Sequence, residues 1–199
     1  MSELVTNKIT PSTGSSDTVT LGDSGDTFTI PSGVTMTNSG TATGFGGGKC
    51  LAVVQTVLVT QPTSTTNDWV DISGFTVTTG TLASTSSKCL VTVHAHVGQS
   101  TSQGIYLRLL RGSTVIYVGT GEAASNSSWN ASMIGSYAGA TSASIQSDTA
   151  TFLDSPSSTS AQTYKVQWRT ISGTVYLNKD SAGSYGKMPS SIMVMEIGA

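Results

Sequence analysis

Gln162-Thr163-Tyr164-Lys165-Val166-Gln167-Trp168-Arg169-Thr170-Ile171 is the stretch whose reading decides the fold. On an extended chain Tyr164, Val166 and Trp168 fall on one side, and Lys165, Gln167 and Arg169 on the other. Apolar residues at every second position describe a strand with one face in a core and one in water. Lys88 to Val97 repeats the pattern, with Cys89, Val91, Val93, Ala95 and Val97 on a single face. Outward from these two lie Leu51–Val59, Asp68–Ile72, Phe75–Thr78, Gly104–Arg111 and Thr114–Val118, the last two joined by a hairpin signal at Arg111-Gly112-Ser113. Trp129–Tyr137 and Ala143–Leu153 carry weaker alternation, Thr174–Leu177 pairs back across Ser172-Gly173, and Ser191–Ile197 follows. No segment sustains a helical period. Roughly eight to ten strands in about 150 residues predict an antiparallel β-sandwich of jelly-roll type.

Composition agrees. Only 10% of the 199 residues are charged and the formal net charge is -2, while Ser and Thr supply about a third of the chain. A helical bundle would need far more Glu, Lys, Leu and Ala. Nine Lys and Arg spread along the chain do not form the basic patch a nucleic-acid binder uses on phosphates. With 37% hydrophobic residues, charge-driven disorder is excluded as well. So weakly charged a surface protects poorly against association, which implies that much of it is covered by other copies. Met1–Thr20 contains Glu3, Lys8 and Asp17 and no apolar run, so it reads as neither a signal peptide nor a membrane anchor. Cys50 and Cys89 read as reduced thiols, with a bridge between them as the alternative.

A joint is expected at residues 44–49, Gly44-Phe45-Gly46-Gly47-Gly48-Lys49. It divides residues 1–43 from a head at 50–199. The first part repeats short Thr-alternating strands closed by Gly turns: Asp17–Leu21, Asp26–Ile30 and Val34–Thr37. Their apolar face is Val19, Leu21, Phe28, Ile30, Val34 and Met36, too little to fold alone. Residues 1–43 are therefore expected to form a β-repeat anchor or trimer stalk covered by neighbours. The last strand poses the same problem. Ile192 and Val194 occupy one side, and Met193, Met195 and Ile197 the other. A strand apolar on both sides sits centrally in a sheet whose outer face is covered. Met193, Met195 and Ile197 are thus the candidate head interface between sister subunits.

Few motifs carry chemistry. Gly22-Asp23-Ser24-Gly25-Asp26 resembles the serine loop of chymotrypsin-like proteases, but both histidines lie downstream, the reverse of that order, and the residues make an ordinary Asx turn. His94 and His96 share one strand face roughly 6.6 Å apart. They are the only candidate metal ligands, and without a recurring third ligand they read as polar residues on the non-core face. Asp23 and Asp26 lack the oxygens a calcium site needs. Trp168 is read as core, and Trp129, in a Ser/Asn-rich stretch, as the one candidate glycan contact. No catalytic constellation and no cofactor site is expected.

The repeats from Thr18 to Gly33 resemble segments of structural proteins of marine tailed bacteriophages. Tyr106–Gly112, Phe152–Pro156, Thr163–Arg169 and Met193–Ile197 resemble the jelly-roll heads of phage fibres and virion surface proteins. The resemblance implies a homotrimer with a narrow N-terminal part, located on the virion, with the major capsid protein or another virion protein as partner. Two roles follow: a capsid decoration (cement) protein anchored by residues 1–43, or a short tail fibre or receptor-binding protein that engages the host receptor, with a host surface glycan as a further candidate partner. With no adaptor domain ahead of the head, decoration is favoured. A carbohydrate-binding module is the reading from another class. Neither nucleic-acid binding nor membrane insertion is expected.

Overall fold

A computed structural model of the chain describes residues 49–101, 104–117, 133–136, 144–183 and 187–198, together with Thr27, Thr29, Ser32 and Gly33. The chain separates into two units, Met1–Thr43 and Gly44–Ala199, and the strands described belong to the second. Val19, Leu21, Phe28, Ile30, Val34, Met36 and Trp129 lie outside the described residues.

All regular structure among the described residues is β. The strands are β1 (Cys50–Leu58), β2 (Thr63–Ser64), β3 (Val70–Thr78), β4 (Lys88–Gln99), β5 (Ile105–Arg111), β6 (Thr114–Ile116), β7 (Ile134–Ser136), β8 (Ile145–Asp154), β9 (Thr163–Thr170), β10 (Val175–Leu177) and β11 (Ser190–Ile197). Every pairing is antiparallel. The first sheet runs β1-β11-β4-β8, with the short β10 and β2 continuing beside β4 past the end of β11. The second runs β3-β9-β5-β7, with β6 flanking the far end of β5. Setting aside β2, β6 and β10, the first sheet takes the first, last, third and sixth strands, and the second takes the second, seventh, fourth and fifth. This interleaving is the double Greek key of a jelly roll, so the expected sandwich is the observed one.

The core lies between the sheets. Val91, Val93, Ala95 and Val97 of β4 face Tyr164, Val166 and Trp168 of β9, and all are buried. Phe75, Ile105, Leu107, Leu109, Leu177 and Ile192 fill the space around them. Burying each large aliphatic side chain stabilises the fold by about 1.5–3 kcal/mol.

Polar pins fix the sheets at opposite ends. At one end Asp154 of β8 accepts from Arg111 Nη1 at 2.7 Å and from Tyr164 Oη at 2.8 Å, reaching from the first sheet to both β5 and β9 of the second. At the other end Gln99 of β4 donates through Nε2 to Thr170 Oγ1 of β9 at 3.0 Å. A third device gathers strand ends. Asn178, at φ 63°, donates from its side chain to the carbonyls of Leu58 and Thr60 and accepts from Ser190 Oγ. Asn tolerates this left-handed conformation better than most residues.

Two elements differ from the form their sequence predicts. Asp68–Ile72 and Phe75–Thr78 are not separate strands: they join in β3, whose pairing with β9 slips between Asp71 and Thr76. Gly74, at φ 78°, takes up the slip, and a Cβ there would press on Leu58 Cδ1 at 3.1 Å. Strand β2 was not expected at all. It is two residues long and owes its existence to pairing with β10.

Candidate functional site

The outer face of the first sheet is built by alternation. Inward residues of β1, β11, β4 and β8 enter the core, which turns every other residue outward. The pairings align these outward residues in rows across four strands. Val53, Met195, Leu90 and Leu153 form one row. Gln55, Met193, Thr92 and Thr151 form the next, then Val57, Ser191, His94 and Thr149. Cys50 and Ala52 flank a register shift that brings Leu51 beside Ile197 and Gly198. The result is an apolar patch along the first row, joined through Met193 to its diagonal neighbour Val57. Leu51 is 46% exposed, Val53 55%, Val57 52% and Leu153 53%. Met193, Met195 and Ile197 are half-buried within it, on a strand lying between β1 and β4 as its two-sided pattern requires.

Strand β1 adds an edge to this face. It pairs with β11 alone among the described strands. It is nine residues long, carries no charge and no Pro, and its one irregularity is the register shift between Cys50 and Ala52, which leaves Val53–Leu58 a regular edge.

His94 and His96 lie at one margin of the patch, facing outward as expected. Their rings meet edge to face, with centroids 4.5 Å apart. His94 Nδ1 lies 2.7 Å from Thr149 Oγ1, and His96 Nδ1 lies 3.1 Å from the Pro189 carbonyl. A carbonyl only accepts, so His96 carries its proton on Nδ1. Partial burial, then the neighbouring His94, holds His96 below the usual imidazole range. No cluster of three or more His, Cys, Asp or Glu side chains suited to a metal occurs among the described residues.

The inner side of the same sheet holds buried polar groups. Cys89 lies beside Asp154 and Glu196 in the pairing, and Glu196 Oε1 accepts the Ala83 N–H at 2.7 Å. Burial raises the Cys89 thiol, and burial, followed by Cys89 and Asp154, raises the Tyr164 phenol far above its ordinary value. Both therefore stay protonated, and Tyr164 serves as a hydrogen-bond donor. Cys50 is exposed, Cys89 buried, and both thiols are free.

The outer face of the second sheet differs in kind. Arg108 of β5 and Arg169 of β9 flank Trp69, which stands just ahead of β3. The guanidinium carbons lie 4.4 and 5.7 Å from the indole centroid. Arg108 Nε donates to Gln167 Oε1 at 2.7 Å, and Arg169 Nη2 donates to Asn67 Oδ1. Asp71 accepts from Lys165 Nζ at 2.8 Å and from Gln167 Nε2 at 2.6 Å. These two donors hold its carboxyl below the usual carboxylate range.

Sequence reasoning placed Met193, Met195 and Ile197 outward but missed their partners Val53, Leu90 and Leu153. The signal lay in Leu51–Val59, which is apolar at both alternations, as β11 is. The Trp69 group had no local signal, because its members come from three distant segments.

No protein-family model and no curated protein matches the chain. A structure of infectious bursal disease virus, Gx strain, contains a chain that resembles it at 13% identity and a TM-score of 0.33. The alignment covers 84% of this chain and 44% of that one, so the chain spans less than half the length of its match. A likeness this loose says nothing of this chain's role. Among the described residues no helix is long and apolar enough to cross a membrane.

Proposed function

We propose that the chain is a non-enzymatic virion structural protein, a homotrimer that decorates and cements a bacteriophage capsid. In this reading residues 1–43 anchor it and the jelly-roll head projects outward. The observation that carries the reading is the uncovered apolar row Val53–Met195–Leu90–Leu153 with its neighbours Leu51, Val57, Met193 and Ile197. The outer face of a sandwich is normally wet and polar. From the exposed fractions this patch offers roughly 500 Å² of apolar surface, at the top of what a monomer leaves in one place. With its polar margin of Gln55, Thr92 and Thr151 it approaches the roughly 800 Å² per partner of a stable interface.

A second copy is the occupant that fits. The patch is self-similar in chemistry, and the Nζ of Lys88 at its border is held by Ser155 Oγ at 2.9 Å. The open edge of β1 extends the same surface. The phage resemblance of the head and of Thr18–Gly33 supports the virion setting. Immunogold labelling of intact particles that carry the chain tests it: label spread over the capsid is expected. Label confined to the tail, or absent from particles, overturns decoration.

A further inference from the structure

We propose that Trp69, Arg108 and Arg169 form a binding site for a carboxylate-bearing saccharide on the outer face of the second sheet. Tyr106 pairs with Arg169 and Arg108 with Gln167, so the two arginines are diagonal neighbours on adjacent strands with side chains on one face. Like charges in that relation repel. Here the repulsion is left standing. Among the described residues Arg111 pairs with Asp154 and Lys165 with Asp71, and neither Arg108 nor Arg169 is in an ion pair with a carboxylate. Both are held by neutral amides, Gln167 and Asn67. Arg169 Nε is buried with no hydrogen-bond partner among the described residues. The nearby acid, Asp71, is already engaged by Lys165 and Gln167. Among the described residues the face thus sets Arg108, Arg169 and Lys165 against the Asp71 carboxylate, in a chain with only nine Lys and Arg.

Such an arrangement is incomplete without an anion. The planar guanidinium fork matches a carboxylate. The Trp69 indole holds both forks in place by cation–π contact. Trp69 and both arginines are half-buried and remain reachable from solvent, while Asn67 and Asp71 are exposed beside them. The Asn67 amide nitrogen, turned away from Arg169 when Asn67 Oδ1 accepts from it, suits a hydroxyl of a sugar ring. The site lies on the face opposite the apolar patch, so it stays open when that patch is covered. It does not depend on where the protein sits on the particle.

The test is calorimetric titration of the full chain with oligogalacturonate, oligoalginate and sialyllactose, each beside its methyl ester. Poly-glutamate serves as a non-saccharide polyanion. Binding to at least one acidic saccharide is expected, with its methyl ester at least tenfold weaker. Arg108→Gln and Arg169→Gln should each weaken it about tenfold or more, and Trp69→Leu should weaken it too. Unchanged melting curves for the Gln variants would show that the fold survives. The proposal is overturned by no binding to any of the three, by equal binding of acid and ester, by binding indifferent to both arginines, or by poly-glutamate binding as tightly as the saccharides.

Discussion

Replacing Asp154 by Ala should cost more stability than any other single polar change in the head. The carboxylate is buried, and its Oδ2 takes both the Arg111 and Tyr164 hydrogen bonds. Removing one partner of a buried ion pair costs about 3–5 kcal/mol. The Arg111 side chain is 26% exposed and recovers some hydration, which lowers its share. The Tyr164 hydroxyl, on a wholly buried residue and left with only the weak Cys89 thiol as partner, adds about 1–3 kcal/mol. The expected loss is about 3–5 kcal/mol. Tyr164→Phe removes one donor to a charged acceptor and should cost about 1.5–3 kcal/mol. The double variant should cost less than the sum, with a coupling of about 1–2 kcal/mol. Urea unfolding of the full chain at fixed concentration measures this. At a slope near 2 kcal/mol per M, the Asp154→Ala midpoint should fall by about 2 M. A loss below about 1 kcal/mol, or strict additivity with Tyr164→Phe, would refute the view that Asp154 ties the two sheets together.

Other changes test other joints. Asn178→Ala strands the Leu58 and Thr60 carbonyls and the Ser190 hydroxyl, and should cost about 2–4 kcal/mol in the same assay. Gly98→Ala drives a methyl into the Lys179 carbonyl, a backbone atom that cannot step aside, and should cost about 2 kcal/mol or more. Stability should also fall in mild acid through His96. Its folded-state pKa is depressed, so the unfolded chain binds the proton first. Stability is level above about pH 6.5, and falls by up to about 1.4 kcal/mol per pH unit until His96's own lower value is passed. His96→Gln should flatten that part of the curve. If residues 1–43 are the anchor, a chain lacking residues 2–43 should fail to occupy expanded capsids.

The sandwich was legible because its core strands alternate without interruption. Cys89 to Val97 and Tyr164 to Trp168 show which side is buried from the residue order alone. The continuity of β3 was not, because its two halves alternate separately on either side of Ser73-Gly74 when only neighbours along the chain are considered. A bulge differs from a turn by what pairs across it, and β9 lies far along the chain. The apolar face was half legible for the same reason. Met193, Met195 and Ile197 declare themselves within one strand, whereas Leu90 and Leu153 look like isolated lapses in polar alternation. Only the register places Val53, Met195, Leu90 and Leu153 in one row. The Trp69 group was hidden further still: Arg108 and Arg169 look like ordinary solvent-facing residues until β5 and β9 are set side by side.

Sedimentation equilibrium of the full-length protein over a wide range of dilution, beside Met195→Glu, asks directly whether that row is covered by sister copies. A trimer for the native chain is expected at micromolar concentration, and a folded monomer for the variant, whose new carboxylate would be buried without a partner. A native chain that stays monomeric throughout, or a Met195→Glu variant that assembles as well as the parent, would contradict the account.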